Sequence, residues 1–280
     1  MQAALEVLRT QSRSLPQDPL RARALLDAVS QSTAWPDIRE NQVVLAGVTC
    51  WQLDPHEARG VILHVHGGGF HAGSFATHAH FLRHLASVTK RRILFPLYRL
   101  APEAPFPQGL DDVSEVLRFV AQRETQLVLS GDSAGGALAL GAFLRVRPEG
   151  LHALALFSPW LDLTCTTDSL DDAPLDYLEG AVLRRLSGSY LGNTPPTDPL
   201  ASPAHATFSE LPHTFVASST SEALRDEIAA FVTRARSQGT HVTHDVSDGL
   251  PHAYPLIPLF GTERNECLSR FARWLERAPS

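Results

Sequence analysis

Gly131-Asp132-Ser133-Ala134-Gly135 stands between an apolar run, LVLS, and a helix-forming stretch, ALALGAFL. Small residues around the serine permit a sharp strand-to-helix turn that exposes its hydroxyl, and the helix N-terminus behind it favours developing negative charge. The chemistry of such a serine is nucleophilic attack. An ordinary Gly-rich strand-to-helix turn carries the same letters, so the motif has to find partners before it means catalysis.

His66-Gly67-Gly68-Gly69-Phe70 follows the strand-like run VILHV. Its glycines let backbone N–H groups come close to a carbonyl oxygen, and in acyl transfer the N–H of the residue after the nucleophile, Ala134, would complete such an oxyanion hole. A phosphate loop is the weaker alternative, because GxxxxGK[ST] is absent. A base and an orienting acid should follow the serine in chain order. His252, in LPHAYP after the last strand run, is the natural base. For the acid, Glu222 lies just beyond TFVASS, Asp226 stands one helical turn further on, and Asp248 is near the histidine in sequence. Ser219-x-x-Glu222 also reads as a capping box, which would make Glu222 a helix-terminus device.

These residues need a scaffold. Short apolar runs at 61–66, 92–98, 127–133, 154–159, 214–219 and 241–246 suit buried parallel strands. Helical stretches near 78–89, 108–122, 134–146, 222–236 and 260–276 supply the crossovers, which together make an α/β fold with a mostly parallel sheet flanked by helices. Residues 41–53, rich in β-branched side chains around Gly47, predict a strand or hairpin edge. Residues 1–40 read as helical, with Leu5 and Leu8, then Leu20, Ala24, Leu25 and Ala28, interrupted by Pro16 and Pro19. Between Leu161 and Pro212 no strand pattern appears, but EGAVLRRLSGSYLG at 179–192 is helical. An insertion at the carboxyl end of a strand lies over the site formed there, so about 164–210 and the N-terminal 1–40 segment together predict a small helical cap on a domain of 41–280.

The 280 residues carry 44% hydrophobic side chains, enough to bury a large core and too many for a disordered chain. A net charge of −6 gives no basic face for nucleic acid or an anionic membrane. Three scattered cysteines, Cys50, Cys165 and Cys267, match neither a disulfide framework nor a zinc site, and point to a reducing, cytoplasmic setting. No signal-peptide pattern and no membrane-length apolar stretch is present in the sequence. His64, His66, His71, His78, His80 and His84 are dense in number but straddle a strand, a loop and a helix without a ligand motif, so no metal is expected.

HGGGF at 66–70, YRLAPEAPFPQGLDD at 98–112, GDSAGG at 131–136, SPWLDL at 158–163, DPLASP at 198–203, SEALRDE at 221–227 and PHAYP at 251–255 together resemble the hormone-sensitive-lipase-like branch of the α/β-hydrolases, the bacterial family IV esterases. The resemblance implies an α/β-hydrolase fold and a serine carboxylesterase that works on a small-molecule ester through an acyl-enzyme, with no cofactor and no metal. It makes Ser133 the nucleophile, His252 the base, and the N–H groups of Gly68, Gly69 and Ala134 the oxyanion hole. Where the family usually has Asp-Pro-Leu this chain has Glu222-Ala223-Leu224, which resembles the members that use glutamate as the acid. Tyr98, Arg99 and Glu103, with the prolines of that segment, read as fixing a long loop, and Asp111 or Asp112 as flanking the next helix. A small cap implies acyl chains of roughly two to eight carbons. Lactone or amide hydrolysis on the same residues remains an alternative, as does a non-catalytic small-ligand receptor; plant gibberellin receptors resemble this family but have lost the histidine. A homodimer is compatible with the sequence.

Overall fold

A computed structural model of the chain describes residues 6–10, 18–30, 35–208 and 211–278. Eight strands are present among them: β1 (Ile38–Leu45), β2 (Val48–Pro55), β3 (Val61–Val65), β4 (Arg92–Pro96), β5 (Leu127–Asp132), β6 (Ala153–Phe157), β7 (Thr214–Ser219) and β8 (Val242–Ser247). They form one sheet in the order β1-β2-β4-β3-β5-β6-β7-β8. β2 pairs antiparallel with both β1 and β4, while β4 through β8 are joined by parallel ladders. The hairpin expected at the edge turns at Ala46 and Gly47, both at positive φ (47° and 84°). Those are the values a tight hairpin turn demands.

Period-two alternation divides each central strand between two cores. Leu63, Leu129, Leu156 and Val216 enter one core, while Ile62, Val128, Ala155 and Phe215 enter the other. α3 (Gln108–Ala121), α4 (Ala134–Val146) and α6 (Arg225–Ser237) cover the first face, and α2 (Phe75–Thr89) and α7 (Gly261–Leu275) the second. Such apolar strands, covered on both sides, are what a parallel sheet requires.

Two helix starts differ from expectation, each for a local reason. α2 begins three residues earlier than its apolar pattern, because Ser74 and Thr77 form a reciprocal capping box, with Ser74 N to Thr77 Oγ1 at 3.0 Å and Thr77 N to Ser74 Oγ at 3.3 Å. α6 begins at Arg225 and not at 222, since the Glu222 side chain and the Ala223 amide are bonded elsewhere.

The insertion after β6 carries α5 (Gly180–Leu191) and short 3₁₀ turns at Asp168–Leu170 and Pro203–His205. In the N-terminal region residues 6–10 are helical and α1 spans Pro19–Val29. Leu5 and Pro16, which figure in the helical reading of 1–40, lie outside the described residues, as do residues 209–210 of the insertion. Arg9 donates to the carbonyls of Asp176 (3.0 Å) and Pro174. Arg23 donates to the carbonyls of His71 and Ala101, each at 2.7 Å, and pairs with Glu103. The N-terminal helices thus touch both the insertion and the loops at the carboxyl edge of the sheet. Among the described residues no helix is long and apolar enough to cross a membrane.

The start of α4 presses on β3: a Cβ at Gly135 would collide with the carbonyl oxygens of Val65 and His66. Backbone oxygens of a central strand cannot yield, so Gly135→Ala should destabilise the fold by about 1–3 kcal/mol. That outweighs the roughly 1 kcal/mol an alanine gains over glycine inside a helix. Urea unfolding checks this, and an unchanged or higher midpoint would contradict it.

Candidate active site

Ser133 occupies the turn between β5 and α4 with φ 49° and ψ −126°, a conformation side chains rarely adopt. Its N–H donates to Phe157 O (3.0 Å), and its carbonyl accepts from Gly136 N and Trp160 N, both at 2.9 Å. A Cβ at Gly131 would strike the backbone of Gly135 and Gly136, so glycine is required for the chain to double back there. The turn lifts Ser133 to partial exposure while Asp132 and Ala134 on either side are buried.

His252 follows β8 in a loop whose residues Leu250 to Ala253 are buried. Leu250 N donates to Ser219 Oγ (3.0 Å), His252 N to Asp176 Oδ1 (3.0 Å), and Ala253 N to Ser158 Oγ (3.1 Å). Thus anchored, the imidazole bridges two partners. Ser133 Oγ lies 2.9 Å from Nε2, and Glu222 Oε2 lies 3.0 Å from Nδ1. Placing the Nδ1 proton toward the carboxylate leaves Nε2 free to accept from the serine. Glu222 is fully buried, and its second oxygen, Oε1, accepts from Ser219 N at 2.7 Å. That is one half of the expected capping box, but the helix begins three residues later, and the carboxylate is turned to His252 instead. Burial opposes a charged imidazole, yet the Glu222 hydrogen bond and the negative charges of Glu222, Asp176 and Asp132 outweigh it and raise the His252 pKa above its ordinary 6.5.

The two other acids are elsewhere. Asp226 Oδ2 accepts from Ser169 N (3.1 Å) in the insertion, and Asp248 accepts from Thr220 Oγ1 (2.6 Å) at the surface. Neither is hydrogen-bonded to His252.

Gly68 and Gly69, both at positive φ (109° and 62°), form an open loop beside the serine. The loop is braced at both ends by the segment after β4, where Tyr98 Oη donates to His66 O (2.7 Å) and Ala101 N to Phe70 O (3.0 Å). Asp132 fixes its start by accepting from Gly67 N at 3.0 Å. Among the described residues the amides of Gly68, Gly69 and Ala134 have no protein acceptor. Amides left without a protein acceptor beside a partly exposed serine are available to a developing oxyanion. From above, α5 closes in: a Cβ at Gly69 would come within 2.7 Å of Leu186 Cδ1, and His71 links Gly69 O (2.8 Å) to Ser189 Oγ (2.9 Å). The Tyr177 ring lies 6.2 Å from the His252 ring.

The histidine-rich stretch resolves into separate roles. His64 bridges Ser130 Oγ (2.9 Å) and Asp132 Oδ1 (3.1 Å), and His66 bonds Gly67 O at 2.8 Å. Burial pushes His66 down to about 3, so it packs as a neutral ring stacked on Tyr98. Among the described residues no three His, Cys, Asp or Glu side chains are grouped to hold a metal ion. Arg99 clamps Asp112 (2.7 Å) and Gln108, which ties the loop after β4 to α3, whereas Arg145 pairs with Asp111 between α4 and α3.

Three buried carboxylates around the site escaped the sequence reading. Asp132 lies within the serine motif itself. Glu227 accepts from Leu161 N (2.6 Å) and Asp162 N (3.2 Å), and its position three after Leu224 and four before Phe231 puts it on the apolar stripe of α6, a signal that was there to use. Asp176 sits among Asp168, Asp171, Asp172 and Glu179, and nothing in the letters sets it apart.

A family model described as alpha/beta hydrolase fold matches residues 62–256. An acetyl-hydrolase of Streptomyces hygroscopicus is 32% identical over 220 residues, covering 74% of each chain. An esterase of Acinetobacter venetianus is 31% identical over 253 residues, 85% of this chain and 82% of the relative. Among solved structures, an esterase from the bacterial hormone-sensitive lipase family superposes with a TM-score of 0.93 at 29% identity over 99% of this chain and 97% of the other. With the sheet order, the serine turn and the glycine loop in place, the chain belongs to the α/β-hydrolase fold family, in its hormone-sensitive-lipase branch.

Proposed function

We propose that the protein is a serine carboxylesterase in which Ser133 is the nucleophile, His252 the general base and Glu222 the acid that orients it. The observation that carries this reading is the unbroken line from Ser133 Oγ to His252 Nε2 (2.9 Å) and from Nδ1 to Glu222 Oε2 (3.0 Å), ending on a fully buried carboxylate. The presence of His252 in that line favours an enzyme over a receptor. Ser133 attacks the ester carbonyl as Nε2 takes its proton, and the oxyanion accepts hydrogen bonds from Gly68, Gly69 and Ala134. Glu222 stabilises the imidazolium. His252 then returns the proton to the leaving alcohol, and the acyl-enzyme is hydrolysed by a water that His252 activates. No step calls for a group beyond the chain's own residues and water.

The described parts of the insertion at 164–210 and of the N-terminal segment 1–40 form the cap over this site. Leu186 over Gly69 and Tyr177 beside His252 support small esters with short acyl chains, because they narrow the space around the reacting carbon. Homologues named esterase and acetyl-hydrolase support the same substrate class.

Ser133→Ala should lower turnover of p-nitrophenyl esters by several orders of magnitude with the fold intact, as far as background rates permit measurement. Near-normal activity in that variant would overturn the reading. Glu222→Gln should cost roughly two to four orders of magnitude in kcat with little change in KM, since a neutral amide cannot stabilise imidazolium. Asp226→Asn, whose carboxylate serves the Ser169 turn, should lose stability or only a modest fraction of activity. The opposite ranking of the two in steady-state kinetics would move the acid to Asp226.

Because the imidazole must be neutral to accept a proton, kcat/KM should fall as pH drops through the His252 pKa, with its half-point above 6.5. Removing the Glu222 charge removes the leading influence that raises that pKa, so the limb of Glu222→Gln should shift to lower pH. A limb that stays in place would contradict the assignment.

A further inference from the structure

Asp176 belongs to the insertion, is 2% exposed, and its oxygens meet no cation within hydrogen-bonding distance among the described residues. Its charge is met by backbone N–H groups instead. Oδ1 accepts from Tyr177 N (2.7 Å), a local turn contact that many exposed aspartates make. Two further bonds are not local. Oδ2 accepts from Ala223 N at 2.7 Å, across 47 residues, and Oδ1 accepts from His252 N at 3.0 Å, across 76 residues. Ala223 is the neighbour of Glu222, so one buried carboxylate holds the residue beside the acid and the base itself. Its own carbonyl is held by Arg9 Nε at 3.0 Å. An unmatched buried carboxylate is expensive, and a turn alone would leave Asp176 at the surface.

We propose that Asp176 is a positioning residue for the reaction, setting the distance between the Glu222 turn and the His252 loop from the cap side, so that the Ser133–His252–Glu222 line is complete only while the insertion is docked. This rests on the roles proposed above for those three residues. A misplacement of the order of 1 Å between reacting groups costs about a hundredfold in rate. The charges facing His252 are Glu222 from the turn after β7, Asp132 from β5 and Asp176 from the insertion, all of which favour its protonated form. The Tyr177 hydroxyl, also near, is kept protonated by burial.

The test measures kcat per reactive serine, counted by complete titration with a fluorophosphonate, so that unfolded chains do not enter. Asp176→Asn should lower kcat per titrated serine about 10- to 100-fold with KM little changed, and shift the acid limb of kcat/KM to lower pH. Asp176→Glu keeps the charge but lengthens the arm, and should lower kcat with the limb where it is in the wild type. A purely structural role predicts fewer titratable serines, each turning over normally with an unmoved limb, and that outcome would overturn the proposal. Ser133→Ala assayed alongside separates the two ideas: an active Ser133→Ala sinks the triad reading, whereas an inert one beside wild-type rates in both Asp176 variants sinks only the role of Asp176.

Discussion

The site hangs from one backbone conformation, that of Ser133 at φ 49° and ψ −126°. A residue held there costs about 1–3 kcal/mol and persists only if its surroundings leave it no alternative. Here they do not. Its N–H and carbonyl are tied to Phe157, Gly136 and Trp160, and the approaches at Gly131 and Gly135 are too close for any side chain. The same closeness presses the N-terminus of α4 against the end of β3, which places Ala134 and Gly67, the first residue of the glycine loop, next to that contact. The exposure of the Ser133 hydroxyl and the nearness of the glycine loop to it are therefore consequences of a single tight packing.

Around that point, buried carboxylates act as rigid acceptors. Asp132 holds Gly67 N, Glu222 holds Ser219 N and His252 Nδ1, Asp176 holds Ala223 N and His252 N, and Glu227 holds the amides of Leu161 and Asp162. In a low-dielectric interior such bonds are strong, and breaking one leaves an orphaned charge or amide. Loops that would otherwise be the mobile part of an α/β domain become fixed in this way. Glu227 differs from the others: burial pushes its pKa well above the ordinary carboxylate range, and Oε2 has no hydrogen-bond partner among the described residues. Oε1 alone holds the loop after β6, through the amides of Leu161 and Asp162.

Much of this was legible in the letters because local chemistry and long-range packing agree. Apolar runs of six or seven residues gave the central strands, and the small residues about Ser133 gave the turn, since both patterns are imposed by sterics acting within a few residues. Glu222 was placed just beyond β7 by strand spacing, while its distinction from Asp226 depended on where α6 starts. That start is set by Asp176 and His252, bonded from far along the chain, which no local rule contains. For the same reason Asp176 was invisible: it is one of several acids in an irregular segment, and only the docked insertion gives it partners. Glu227 is different: its place on the apolar stripe of α6 is legible in the sequence, and only its partners, the amides of Leu161 and Asp162, lie far along the chain.

The central claim, that the Ser133 hydroxyl is a nucleophile activated through His252, is met most directly by stoichiometric reaction with a p-nitrophenyl alkylphosphonate. The account predicts release of one p-nitrophenol per folded chain, loss of ester hydrolysis in proportion, and an alkylphosphonyl mass on the peptide that contains Ser133. Full activity after exposure, or a modified chain whose adduct lies on another residue, would contradict it.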